Sequence, residues 1–172
     1  MSKAKLKKTL STMPAESLVT LICEMYDSRR EARDYLEYWL EPNPDKALEE
    51  YKETVHKLFF LPSGGTRKSP SATELKRLQK NFSTLCYDSE KELDLAIWTA
   101  EQEYEWILGR EGKANTSIPK LMKRIATLRG EMDVSCLEHR FELRISRLEE
   151  LAKELERNPP VKRRRGWRSW RW

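Results

Sequence analysis

The sequence is poor in the residues on which most site chemistry depends. Of its 172 residues two are histidine, His56 and His139, and three are cysteine, Cys23, Cys86 and Cys136. The cysteines are odd in number and far apart, and they form neither a C-x-x-C pair nor a zinc-ligand spacing. Buried free thiols in a reducing cytoplasm are expected of them. Glycine is scarce, at six residues, and no segment alternates apolar and polar side chains over a useful strand length, so a sheet is not expected. The longest clean apolar run, Leu58-Phe59-Phe60-Leu61, falls far short of the roughly 18 residues a membrane-crossing helix needs. The opening M-S-K-A-K-L-K-K is basic with no apolar stretch behind it, so a secretory signal is not expected either. A cytoplasmic protein without a transmembrane segment follows as the expectation.

Charge is what the chain has in quantity. Asp, Glu, Lys and Arg make up 35% of it, against roughly 25% in an average globular domain, which fits helices with heavily charged outer faces. The charge is unevenly placed. Residues 157–172 read R-N-P-P-V-K-R-R-R-G-W-R-S-W-R-W and hold seven Lys or Arg, three Trp and no acid. The preceding 156 residues therefore hold 26 basic side chains against 28 acidic ones, a net of −2, within a chain of net +5. The basic character belongs to the tail.

Apolar spacing is helical nearly everywhere. Leu18, Leu21, Ile22 and Met25 recur at i, i+3, i+4 and i+7. Ser28 with Glu31 reads as a capping box opening a helix that buries Ala32, Tyr35, Leu36 and Trp39 and stops near Glu41-Pro42. Asn43 then caps and Pro44 fits a first helical turn, in a helix carrying Leu48, Tyr51, Val55, Leu58 and Phe59. Residues 61–70 form a loop. Ser71 with Glu74, and Ser89 with Glu92, read as two more capping boxes, before helices carrying Leu75, Leu78, Phe82 and Leu85, then Leu93, Ile97, Ala100, Tyr104, Ile107 and Leu108. A second loop covers 109–115. A helix from about Ser117 follows with Leu121, Ile125, Leu128 and Met132, where Gly130 is a candidate interruption.

Val134, Leu137, Phe141, Arg144, Leu148, Leu151 and Leu155 then step alternately by three and four, a heptad seam containing one arginine. Two readings stay open: a helix packed inside its own chain, which the offset Ile145 favours, and a homodimer through residues 134–155. The expected fold is all-α, an irregular stack or bundle of antiparallel helical hairpins with about seven to eight helices. The hairpins fall at roughly 2–26, 29–60, 71–108 and 117–156, without a residue-level repeat. A helical domain over 1–156 and a basic Trp/Arg-rich tail over 157–172 complete the organisation.

Three stretches of the N-terminal part carry a resemblance: M-S-K-A-K-L-K-K-T-L, then L-x-x-L-I-x-E-M-Y-D-S-R-R-E-A-R-D-Y-L-E-Y-W-L-x-P, then H-K-L-F-F-L-P-S-G-G-T-R-K-S. Over about residues 1–65, and more weakly to 108, the chain resembles a family of small bacterial helical proteins classed only as a domain of unknown function. The resemblance implies a helical, intracellular bacterial protein and no chemistry. The matched Tyr26, Asp27, Ala32, Tyr35, Leu36, Leu40 and Pro42 are mostly of the helix-packing kind.

Candidates for catalysis are few. Glu53 and His56 make one E-x-x-H step, where di-iron bundles use two with two further glutamates. Cys136 and His139 sit at i, i+3 without a readable orienting group. Glu101, Glu103 and Glu105 scatter around a helix as a solvated surface. Ser63-Gly64-Gly65-Thr66-Arg67-Lys68 lacks the preceding strand of a phosphate loop and reads as a flexible connector. No catalytic residue, metal site or cofactor is expected.

The tail remains. Lys162, Arg163, Arg164, Arg165, Trp167, Arg168, Trp170, Arg171 and Trp172 suit docking on a protein groove, salt-sensitive contact with nucleic acid with indoles stacking on unpaired bases, or, less readily, a membrane surface; a solvated tail without a partner is the bland alternative. The sequence leads to a non-enzymatic bacterial scaffold with an unknown protein partner, and alternatively to a nucleic-acid-associated protein binding through its tail.

Overall fold

The computed structural model describes residues 2–109 and 117–159. Among them the chain is all helical: α1 Lys3–Leu10, α2 Ala15–Ser28, α3 Arg30–Leu40, α4 Pro44–Phe59, α5 Ala72–Leu85, α6 Ser89–Leu108, α7 Ile118–Ser135 and α8 Glu138–Arg157. The one β-type pairing among these residues is an isolated bridge between Phe60 and Thr66. The expected all-α bundle of seven to eight helices is what the chain forms. It divides into two compact units at Asn43-Pro44, so the single hairpin expected over 29–60 is corrected: α3 closes one unit and α4 opens the next.

In the first unit, Ser2 caps α1, its hydroxyl accepting from the Lys5 amide at 3.3 Å. Between α2 and α3 stands a single extended residue, Arg29, and the two helices pack on each other. The Tyr26 hydroxyl of α2 donates to Glu37 Oε1 of α3 at 2.7 Å. Arg33 donates from Nε to the Tyr26 carbonyl and lies over the Tyr26 ring at 4.9 Å. Ser28 is the last residue of α2, and α3 begins without a side-chain cap, so the expected Ser28–Glu31 capping box does not form. The expected burial of Ala32, Tyr35, Leu36 and Trp39 is also corrected. None of α1, α2 or α3 contains a buried residue.

The second unit is built round α6, which packs against α4, α5, α7 and α8. A helix with neighbours on several sides needs apolar or small residues on more than one face. Accordingly α6 buries Leu93, Leu95, Ala96, Ile97, Thr99, Ala100, Gln102, Trp106 and Ile107. Around it stand Val55 and Phe59 of α4, Leu75 and Phe82 of α5, Leu121, Ile125, Leu128 and Met132 of α7, and Phe141, Ile145, Leu148 and Leu155 of α8, all buried. The α5 cap is as expected, with Ser71 Oγ accepting from the Glu74 amide at 3.1 Å. The α6 cap is one residue earlier than expected. Asp88 accepts from the amides of Glu90 and Lys91, while Glu92 accepts from the Ser83 hydroxyl at 2.6 Å.

Gly130 does not interrupt α7. The break comes at Cys136, which adopts the left-handed conformation (φ 54°, ψ 39°); the Leu137 amide reaches back to the Met132 carbonyl, a C-terminal closure normally given to glycine. Val134 thus belongs to α7 and is 87% exposed. The face of α8 carrying Phe141, Ile145, Leu148, Ala152 and Leu155 is buried inside its own unit against α7 and α6, which takes up Phe141, Leu148 and Leu155 of the seam considered for a homodimer through 134–155 and leaves its Val134 exposed. Of the thiols, Cys86 is buried, whereas Cys23 and Cys136 are exposed, contrary to expectation.

Candidate interaction surfaces

His56 Nδ1 lies 2.7 Å from Gln102 Oε1, joining α4 to α6, and its ring stacks on Phe60 with centroids 4.9 Å apart. Glu53 binds Lys57 at 2.7 Å, and that hydrogen bond holds its carboxyl below the usual glutamate range. The E-x-x-H step is thus divided between two separate contacts. Cys136 lies between helices, with His139 on α8, so the pair does not share a helix face. No group of three or more His, Cys, Asp or Glu among the described residues is placed to hold a metal ion.

The first part of the Leu61–Pro70 loop, as far as Arg67, forms a hydrogen-bonded turn. Gly64 takes φ +82°, its amide donating to the Leu61 carbonyl, while the Leu61 amide donates to the Gly65 carbonyl at 2.7 Å. Arg67 donates from its backbone amide to Phe59 O and from Nε to Phe60 O, and its own carbonyl accepts from Trp106 Nε1 at 2.9 Å. Arg67 and the Gly64 amide, both in the segment compared with a phosphate loop, are therefore engaged in holding the turn.

A charge network missed in the sequence ties α8 to α6 and α4. Arg144 donates from Nε and Nη2 to the two carboxylate oxygens of Glu101, at 3.0 and 2.8 Å, and from Nη1 to Asp94 Oδ1. Asp94 Oδ2 meets Lys52 Nζ at 3.0 Å. Burial would raise the Asp94 pKa, yet hydrogen bonds from Arg144 and Lys52 outweigh it and hold the carboxyl below its ordinary value. The lone arginine of the heptad pattern was the only sequence signal of this network.

Among the described residues, two surfaces stand out. The first is a cavity of about 600 Å³ among α5, α6 and α7, floored by Leu75, Phe82, Ala96 and Leu128. Lys76, Lys123 and Arg124 stand along its walls, with Glu92 and Glu131. Arg124 is bound by Glu103 at 2.9 Å. Lys76 and Lys123 are exposed on α5 and α7, as are Arg77, Lys80 and Lys120.

The second is the hairpin of the first unit, where Val19 (60%), Trp39 (68%) and Leu40 (69%) are mostly exposed and Ile22, Met25 and Tyr35 about half so. At 100° per residue, Leu21, Met25, Leu18, Ile22, Tyr26 and Val19 span roughly 160° of α2, and Tyr35, Trp39, Ala32, Leu36 and Leu40 roughly 140° of α3. A single neighbouring helix covers only part of so wide a stripe. Sequence periodicity revealed both stripes, though not that they stay open.

The tail residues Lys162, Arg163, Arg164, Arg165, Trp167, Arg168, Trp170, Arg171 and Trp172 lie outside the described residues, as does most of the second expected loop. No described helix is long and apolar enough to cross a membrane. No family model, no curated protein and no solved structure matches the chain.

Proposed function

We propose that the protein is a non-enzymatic interaction scaffold whose docking surface is the α2–α3 hairpin. One observation carries this reading: none of the described residues of the first unit is buried, while six large apolar side chains of its adjoining helices α2 and α3 are exposed. Exposed apolar patches of that extent mark protein interaction sites, and Trp and Tyr are the side chains that most often anchor them. Supporting it, His56, Asp94, Glu101 and Glu53 are each engaged in contacts that join or brace helices. The resemblance to small bacterial helical proteins is compatible with an intracellular location. A photoreactive phenylalanine analogue placed at Trp39 in the full-length chain is expected to give discrete protein adducts in cells. The same analogue at Lys80 serves as the control. Equal labelling at the two positions would remove the basis for a docking surface on the hairpin.

A second reading, a nucleic-acid-associated protein, is favoured by the exposed cations of α5 and α7 beside the cavity together with the seven cations and three tryptophans of residues 157–172. Contact of this kind is sequence-blind, of the order of 10⁻⁴ to 10⁻⁶ M at physiological salt, and weakens as salt rises. Anisotropy of labelled single-stranded DNA and RNA should then show salt-dependent binding by the full chain, lost when 160–172 are removed. No binding by the full chain at low salt would dismiss this reading.

A further inference from the structure

The geometry points to a second copy of this chain as the occupant of the α2–α3 face, two hairpins closing into a four-helix bundle across a two-fold axis; this rests on the hairpin being a docking surface. Three observations support a second copy. The stripes are too wide for the α2–α3 contact alone, and duplicating a two-helix hairpin supplies each helix with a second apolar neighbour, which is how four-helix bundles bury such stripes. The exposed side chains of Val19, Ile22, Met25, Tyr35, Trp39 and Leu40 approach the roughly 800 Å² per partner of a standard interface.

The charges are also compatible with self-pairing. Residues 2–43 hold seven cations and seven anions, so two copies do not repel, whereas the whole chain carries +5. Within the unit the signs are segregated. Lys3, Lys5, Lys7 and Lys8 give α1 a charge of +4, and residues 15–41 sum to −4, with Arg29, Arg30 and Arg33 against seven acids. An isologous pairing uses the same patch on both subunits, and at 100° per residue no charged side chain of α2 or α3 falls within the two apolar stripes, so closing them on a second copy buries no charge.

Full-length protein in light scattering over about 1 to 100 µM should show twice the chain mass. Trp39→Glu and Ile22→Lys should each weaken association by at least about 100-fold, as loss of a central interface anchor does, while Trp39→Phe retains it. Leu143→Lys, on an exposed position of α8, should change nothing. Because the first unit buries nothing alone, the split variants should lose protection from hydrogen exchange in α2 and α3 and keep it at Ile97 and Ile145, which separates dissociation from global unfolding. A dimer indifferent to both charge variants overturns the assignment. A monomer at every concentration with fast-exchanging α2–α3 amides overturns the second copy but leaves the hairpin free for another protein. A monomer with those amides protected means the chain covers the stripe itself, and both readings fail.

Discussion

Phe82→Ala is expected to lower the stability of the second unit by about 3 to 5 kcal/mol, the usual cost of emptying a buried phenylalanine site. Phe82 is completely buried and packs on the Tyr51 ring of α4 with centroids 5.1 Å apart, a contact worth about 0.5 to 1.5 kcal/mol beyond its area. Its position makes the loss local as well as large. Helix α5 buries only Leu75 and Phe82, so removing the ring takes away half of what fixes it to α6 and α4. The residue also floors the cavity among α5, α6 and α7, which leaves few atoms on that side to collapse into the space. Chemical denaturation followed by circular dichroism measures the effect, with hydrogen exchange locating it. Phe82→Leu should cost less than half as much, and exchange in α5 should accelerate before that in α6. A loss below about 1 kcal/mol would show that Phe82 is not an anchor of this kind.

Whether an element was legible depended on whether its cause was local. The helices themselves follow from period: Val55 and Phe59, Leu75 and Phe82, Leu121, Ile125, Leu128 and Met132 all face inward where the spacing put them. The Ser71 cap was legible because Ser71 meets no stronger competitor. At Ser89 the neighbouring Asp88 offers a carboxylate to two amides, and Glu92 turns to Ser83 on α5, a partner that only the tertiary fold supplies. The α7–α8 break was misplaced because sequence signals favour glycine for a left-handed residue, and here the residue is Cys136.

The division at Asn43-Pro44 was hidden for a different reason. Periodicity reports which side of a helix is apolar, not whether anything covers it. Ala32, Tyr35, Leu36 and Trp39 have the spacing of core residues, as do Ile97 and Leu121, and only the three-dimensional arrangement separates the second pair, which is buried, from the first set, which is not. The same limit affected the candidate site. The apolar residues of α2 and α3 have the spacing of an ordinary hairpin core, whereas the tail stands out by its composition. An apolar stripe of conventional appearance, left open, is the more informative feature of the fold.

Arg144→Ala is expected to cost about 2 to 3 kcal/mol at neutral pH, since it removes three charge-assisted hydrogen bonds to Asp94 and Glu101. The figure stays below the 3 to 5 kcal/mol, roughly, of a fully buried ion pair, because the Arg144 side chain is 35% exposed and solvent screens part of the loss. Arg144→Lys should recover only part of it, as a single ammonium cannot reproduce the bidentate fork on Glu101. The pH dependence has a definite sign. Asp94 is held below its ordinary value of 3.8, so its contribution is fully present above about pH 4 and disappears as pH falls through the lower, folded-state value. The stability gap between wild type and Arg144→Ala should therefore be widest near neutrality and narrow in acid below that point, because the wild-type protein is then losing the same interaction. Denaturation midpoints for both proteins from about pH 7 to pH 2.5 measure this. A gap that stayed constant down to the lowest pH would mean that Arg144 stabilises α8 through packing of its aliphatic stem along Phe141, over whose ring its guanidinium lies at 6.0 Å, and not through the carboxylates of α6.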